Sequence, residues 1–389
     1  MLSNRIQILS ESITIAISTL AADLKAQGKD ILSFSAGEPD FDTPDVIKQT
    51  AIKAINDGFT KYTAVDGIKE LKEAIAHKLK RDNNLDYELD QIIVNNGAKH
   101  SLFNLFQATI NKGDEVIIPA PFWVTYPELV KYSDGVPVEI PTTEETGFKI
   151  TPELLKSAIT PKTKMLILTT PSNPTGSVYS KSELEALSEV LKGTDILVAS
   201  DEMYEMLTYD GDFTSTASIS DDMYQRTITI NGLSKSVAMT GWRFGYMASA
   251  DKELIKATKK LQSQSTSNIN SITQKAAIAG LDGSADADIA MMREAFIDRR
   301  NKAVDQFNAI DGLSVLKPDG AFYLFVNISE VEKDSLKFCK ELLEKTGVAV
   351  VPGVGFGSDG YFRFSFATDI QSITNGIKRI EDFIATNYR

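Results

Sequence analysis

The sequence predicts an α/β protein, with a mainly parallel central sheet in a large domain and a smaller α+β domain beside it. Three observations carry this expectation. The chain has 389 residues, enough for two domains around a sizeable core. Between about residues 90 and 250, short apolar runs alternate with helical patterns, the rhythm of strand–helix–strand units. The two ends instead carry isolated strands and amphipathic helices, which combine into the smaller domain. The expected boundaries are 1–44 and 291–389 for the two parts of the smaller domain, and 45–290 for the large one.

Composition narrows the function classes. Apolar residues make up 42% and charged residues 24%, ordinary values for a globular enzyme. A net charge of −12 argues against nucleic-acid binding, which needs a basic face. It does not forbid an acidic substrate, because the field inside a cleft can differ in sign. The single cysteine, Cys339, excludes an internal disulfide and reads as core filler in a reducing compartment. No apolar run approaches the ~20 residues of a membrane span, and no signal-peptide pattern opens the chain, so a cytoplasmic protein is expected. With two histidines, His77 and His100, a metal cluster is not expected.

A helix over 13–27 closes at Gly28, a C′ glycine. A short strand over 31–34 leads into Gly37-Glu38-Pro39-Asp40, where Gly37 allows a close backbone approach. Thr43 and Pro44 read as N-cap and first residue of a helix to about 57. Tyr62 follows in a loop, and a charged amphipathic helix covers about 68–81. A strand over 91–95, the turn Gly97-Ala98-Lys99 and a helix over 100–110 form a unit whose backbone N–H groups can hold a phosphate. The pattern is short and lacks full P-loop spacing. A strand over 114–118 precedes Trp123, which either packs in the core or stacks on a planar ring.

Strands follow over 136–140 and 165–169, with a helix over 152–159 between them. The second strand ends in Ser172-Asn173-Pro174-Thr175-Gly176, where α/β proteins place ligands. Asn173–Pro174 is a candidate cis bond. Ser180 and Glu183 form a capping box for a helix to about 192. The strand over 196–199 ends in Asp201 and Tyr204; an acid there either caps a helix or meets a buried cation. Lys235 follows a strand end at Ile228 and Ile230. Leu233, Val237, Ala238, Met239 and Trp242 surround it, with no acid nearby in sequence. Dehydration of that kind lowers an amine's pKa and makes it nucleophilic. Helices over 251–262, 270–281 and 286–310 come next, then strands over 313–316 and 322–326, a helix over 334–346 and a strand over 348–351. The strand over 361–366 alternates around Arg363, either a snorkelling edge residue or a bidentate carboxylate clamp. A helix over 370–387 closes the chain.

Ser234-Lys235 followed by Met239-Thr240-Gly241-Trp242-Arg243-Phe244-Gly245-Tyr246 resembles the cofactor-lysine segment of the class I pyridoxal-phosphate (PLP) aminotransferases. The likeness runs from Arg5 to the last helix, includes the Gly37 and Asn173 motifs, and is greatest to the prokaryotic aspartate aminotransferase subgroup. It implies the type I fold of PLP-dependent transferases, a homodimer, and ping-pong transfer of an amino group from L-aspartate to 2-oxoglutarate, giving oxaloacetate and L-glutamate.

Residue by residue, the resemblance implies that Lys235 carries PLP and moves the substrate's α-proton, and that Asp201 pairs with the ring nitrogen. Asn173 and Tyr204 would bind the ring oxygen, and Trp123 would lie against the ring. Gly97, Ala98, Arg243 and the partner subunit's copy of Tyr62 would hold the phosphate. Gly37 would contact the substrate and Arg363 its α-carboxylate. Lys99 would recognise a distal carboxylate, or else strengthen the phosphate pocket. Two departures stand out. Ser10 occupies the place of a basic residue linked to prephenate use, which speaks against that substrate. Gly232 replaces a phosphate-binding serine found outside the subgroup.

Alternatives remain on sequence grounds. An aromatic or alanine aminotransferase, or a carbon–sulfur lyase, shares the fold; Lys99 disfavours them, and a substrate panel separates them. A PLP-sensing transcription regulator needs a DNA-binding domain before Gly37, which 36 residues precede here; a mobility shift with generic DNA tests it.

Overall fold

Seven strands form the central sheet of the computed structural model, which describes residues 2–11 and 13–388. Their order is Ile92–Asn95, Gly245–Ser249, Thr227–Gly232, Leu197–Asp201, Thr163–Thr169, Glu115–Ala120 and Val136–Pro141. Gly245–Ser249 runs antiparallel to both neighbours, and the remaining pairs are parallel. The inner strands are almost wholly buried, as expected of a sheet covered on both faces, with small polar residues such as Ser200, Thr227 and Thr229 buried among the apolar ones.

A three-stranded sheet of Val351–Pro352, Tyr361–Ser365 and Tyr323–Asn327, and the parallel pair Leu32–Ser33 with Val348–Ala349, make up the second region. The helices Ile13–Ala26, Ser335–Thr346 and Ile370–Asn387 accompany them. One apolar cluster runs continuously from Ile93 and Ile118 of the large sheet to Phe362 and Phe364 of the small one. The chain limits 1 and 389 lie outside the described residues.

Several expectations are corrected. The strand over 313–316 reduces to one bridge, Ser314 with Asn327. The run over 348–351 splits at Val350 because its two halves pair with different strands. Thr43 does not cap its helix; its hydroxyl donates to the Ala238 carbonyl at 2.7 Å and accepts from Trp242 Nε1 at 3.0 Å. The cis bonds are Ala120–Pro121 and Thr170–Pro171, not Asn173–Pro174. Helices Thr125–Tyr132 and Asp221–Arg226 were not expected; Pro127 masks the first, although proline is tolerated in a first turn. The strand Gly245–Ser249 also escapes prediction, since Gly, Met, Ala and Ser carry little strand preference. The Ser180–Glu183 capping box forms as expected.

Candidate active site

Loops leaving the carboxyl ends of the parallel strands converge on a cavity of about 290 Å³. Gly37, Ala98, Lys99, Trp123, Asn173, Asp201, Tyr204, Lys235, Arg243 and Arg363 all line it. These residues span 326 positions of sequence from Gly37 to Arg363 (363 − 37), so folding assembles them rather than local order. Tyr62 does not line the cavity of its own chain; it projects from its loop at 91% exposure.

Lys235 follows the strand Thr227–Gly232 and reaches Gly37, donating from Nζ to its carbonyl oxygen at 2.5 Å. Burial lowers the pKa of this amine to about 8, and the Arg363 and Arg243 charges push the same way; Glu38 and Asp201 oppose them. An amine of that kind is still mainly protonated near physiological pH, but its neutral form is far more populated than that of an ordinary lysine.

Asp201 ends its strand at 5% exposure. Its Oδ2 accepts from the Tyr126 hydroxyl at 2.7 Å and its Oδ1 from the Met203 amide at 3.2 Å, both uncharged donors. Burial raises its pKa despite these bonds and the Lys235 charge.

Arg363 sits in the middle strand of the small sheet at 1% exposure, which removes the edge-residue reading. Its guanidinium donates to Asn173 Oδ1 and to the Ser35 carbonyl, both at 2.8 Å, and lies 4.4 Å from the Tyr323 ring centroid. Nε is buried without a hydrogen-bond partner. A buried cation with a spare donor and no carboxylate among these contacts is arranged to receive an anion. Tyr204 reaches the same wall, its hydroxyl 2.8 Å from that of Tyr323.

At the opposite end, the helix Ala98–Thr109 begins at the cavity, and its first turn leaves N–H groups without intrahelical acceptors. Gly97 caps it at φ +82°, and a Cβ there would stand 2.7 Å from Arg243 Nη2, so only glycine permits the approach. Arg243 itself adopts a left-handed φ of 56°. The Lys99 ammonium lies 4.8 Å from the Trp123 ring centroid, and lost hydration together with the Arg243 charge lowers its pKa. A side chain at Gly232 would meet the Phe244 carbonyl at 2.8 Å, and in this segment it is Ser234 that brings a hydroxyl to the cavity wall.

Sequence reading missed Thr14, Tyr126, Thr169, Met203, Ser234 and Tyr323 on this wall. Ser234 adjoins Lys235 and was open to inference. Tyr126 and Tyr323 act through partners 75 and 119 positions away, which no local signal reveals. Among the described residues, no group of three metal-ligating side chains occurs, and no helix is long and apolar enough to cross a membrane.

Comparison with known proteins gives one answer. Residues 29–380 match the family described as aminotransferase class I and II. The aspartate aminotransferase of Bacillus subtilis (strain 168) is 49% identical, with 98% of each chain covered. The aspartate/prephenate aminotransferase of Nitrosomonas europaea is 47% identical, covering 99% of this chain and all of its own. The structure of Thermus thermophilus aspartate aminotransferase with maleate superposes with a TM-score of 0.95 at 42% identity, covering 98% of this chain and 99% of that one. On both the family match and these full-length identities, the chain belongs to the class I and II aminotransferases.

Proposed function

We propose that this chain is a PLP-dependent aspartate aminotransferase acting between L-aspartate and 2-oxoglutarate. The observation that carries the reading is the pairing in one cavity of an amine with its pKa lowered to about 8, Lys235, and a buried acid bonded to neutral donors, Asp201. A pyridinium nitrogen supplies the cation that Asp201 lacks among its bonded partners. The helix start at Ala98, with Arg243 packed against Gly97, suits a phosphate. Trp123 offers an aromatic wall, and Asn173 and Tyr204 offer polar atoms for a ring oxygen. The residues therefore fit PLP.

When bound, PLP supplies an aldehyde for amine exchange and a protonated ring that withdraws electrons from the substrate's α-carbon. Lys235 would hold the cofactor and, once free and in its neutral form, accept the α-proton on Nζ, the lowered pKa making that form more accessible. Asp201 would keep the ring nitrogen protonated. Arg363 would bind the α-carboxylate through donors that now include an unused Nε, and so orient the α-hydrogen towards Nζ. Gly37 would cover the substrate, and Lys99 would meet a distal carboxylate. The relative from Thermus thermophilus is described with maleate, a four-carbon dicarboxylate, which supports that class of ligand. A homodimer in the cytoplasm belongs to the same proposal, with the exposed Tyr62 reaching the partner's phosphate site.

Initial rates with purified, PLP-loaded enzyme decide it. Aspartate with 2-oxoglutarate should exceed alanine and the aromatic amino acids, and double-reciprocal plots should be parallel. Prephenate should react poorly, since Ser10 brings a backbone amide to Glu128, at 2.7 Å, and no positive charge. Preference for alanine, or release of a thiol from a cysteine conjugate, would move the chain to another activity on the same fold.

A further inference from the structure

Directly after Tyr204, the turn Glu205–Leu207 buries a carboxylate that takes no part in the cavity. Glu205 Oε1 accepts from Lys78 Nζ and, at 2.7 Å, from Asn231 Nδ2; Oε2 accepts from Asn83 Nδ2 at 2.5 Å. Lys78 also donates to Asn83 Oδ1 at 2.6 Å and stands 3.9 Å from Asp82. Asn231 turns its other atom forward, Oδ1 accepting from the Gly232 amide at 2.7 Å. Lys78, Asn83, Glu205 and Asn231 are each 6% exposed or less.

The bonds cross from the helix Lys69–Asn83 to the last residues of the strand Thr227–Gly232, three positions before Lys235. At that strand end the backbone is already in close contact, since a Cβ on Gly232 would meet the Phe244 carbonyl. A displacement of Asn231 is therefore passed along the chain to Lys235 rather than absorbed by slack. Glu205 is likewise tied to Tyr204 by the peptide bond, and the Leu207 amide closes the turn on the Tyr204 carbonyl at 2.8 Å.

We propose that Glu205, clamped by Lys78 and Asn83, is a positioning residue that acts through Asn231 and the Gly232 amide to fix the segment presenting Lys235. Its catalytic consequence rests on the role given to Lys235 above, but its geometric content does not. The charged groups that set the Lys235 amine are Glu38, Arg363, Arg243 and Asp201. A small movement of Nζ changes its distance to all four, and so changes its proton affinity.

The test is Asn231→Ala in the full chain, which cuts the link and leaves Lys78 paired with Glu205. Three quantities are read: melting temperature, steady-state kinetics of the PLP-loaded enzyme, and the pH midpoint of Lys235 acetylation by trace acetic anhydride in cofactor-free protein, followed on the Lys235 peptide by mass spectrometry. The expected result is a kcat lower by about 10- to 100-fold, with KM values for aspartate and 2-oxoglutarate within about threefold. The acetylation midpoint should move by about 0.5 pH unit or more. A lowered melting temperature with unchanged kcat and midpoint would overturn the proposal, leaving the cluster a purely structural tie. Should Asn231→Ala fail to fold, Asn231→Ser, which also loses Glu205, gives the same reading. Because acetylation needs no cofactor, failure of the PLP assignment and failure of the positioning role remain distinguishable.

Discussion

Lys78 and Lys235 are both amines drawn away from solvent beside an acid, and their surroundings treat them in opposite ways. Lys78 donates to the Glu205 carboxylate and to Asn83 Oδ1. Lys235 meets a neutral carbonyl, that of Gly37, while Asp201 spends its oxygens on Tyr126 and Met203. The first arrangement fixes a cation in place. The second lowers an amine's pKa and raises an acid's, which is the state chemistry uses. Direct pairing makes a buried lysine structural; withholding the pair makes it reactive.

The sharpest way to break this contrast is Lys235→Ala. We expect the aspartate rate to fall on the order of 10⁴-fold, the upper range for loss of a general base. After borohydride reduction, mass spectrometry should find no cofactor attached to the chain. A surviving adduct would assign the reactive amine elsewhere. Next comes Asp201→Asn, which keeps the shape and removes the charge. Its kcat should fall roughly 100- to 1,000-fold, the loss typical of a preorganised electrostatic contact, with KM changed far less. Equal activity in the variant would show that the acid is not needed as a counter-charge.

Lys78→Met reads the other half of the comparison. Removing one member of a buried ion pair strands the Glu205 carboxylate and should cost about 3–5 kcal/mol. Melting temperatures at matched protein and cofactor concentration measure it. Lys78→Met combined with Glu205→Met should recover much of that stability, since no unpaired charge is then buried.

The two lysines were not equally legible. Lys235 lies in an apolar segment after a strand end, and Asn173 and Asp201 sit at or just past the ends of apolar strands, so position made them candidates and the family resemblance chose among their readings. Arg363 stood out because a charge interrupted an alternating apolar strand. Lys78 lies in a helix rich in charges, where the ordinary expectation for lysine is solvent. Only Glu205, 127 positions away, explains its burial. Tyr126, which holds Asp201, was hidden by Pro127 and by the same distance problem. The run over 313–316 looked like a strand on local preference, but its place in the sheet depends on a partner, and it finds only one bridge. Tyr62 is exposed and does not line the cavity of its own chain, so neither the sequence pattern nor a single chain shows what it would touch.

Lys99 supplies a third setting for a lysine and the smallest predicted effect. The residue is exposed overall, but its ammonium lies against Trp123, and lost hydration there, with Arg243 nearby, weakens its hold on its proton. No ion pair fixes it among the described residues, so its ammonium is available to a ligand arriving from solvent. A charge-assisted hydrogen bond to a substrate's distal carboxylate contributes about 1.5–3 kcal/mol, so Lys99→Ala should raise KM for aspartate by roughly 10- to 100-fold. Alanine has no distal carboxylate, and its kcat/KM should stay within about threefold. If both substrates weaken alike, and PLP dissociates more readily in equilibrium dialysis, the ammonium serves the phosphate end of the cavity instead. Lys99 would then stand with Arg243 as part of the anion cradle, and dicarboxylate preference would have to come from elsewhere on the cavity wall.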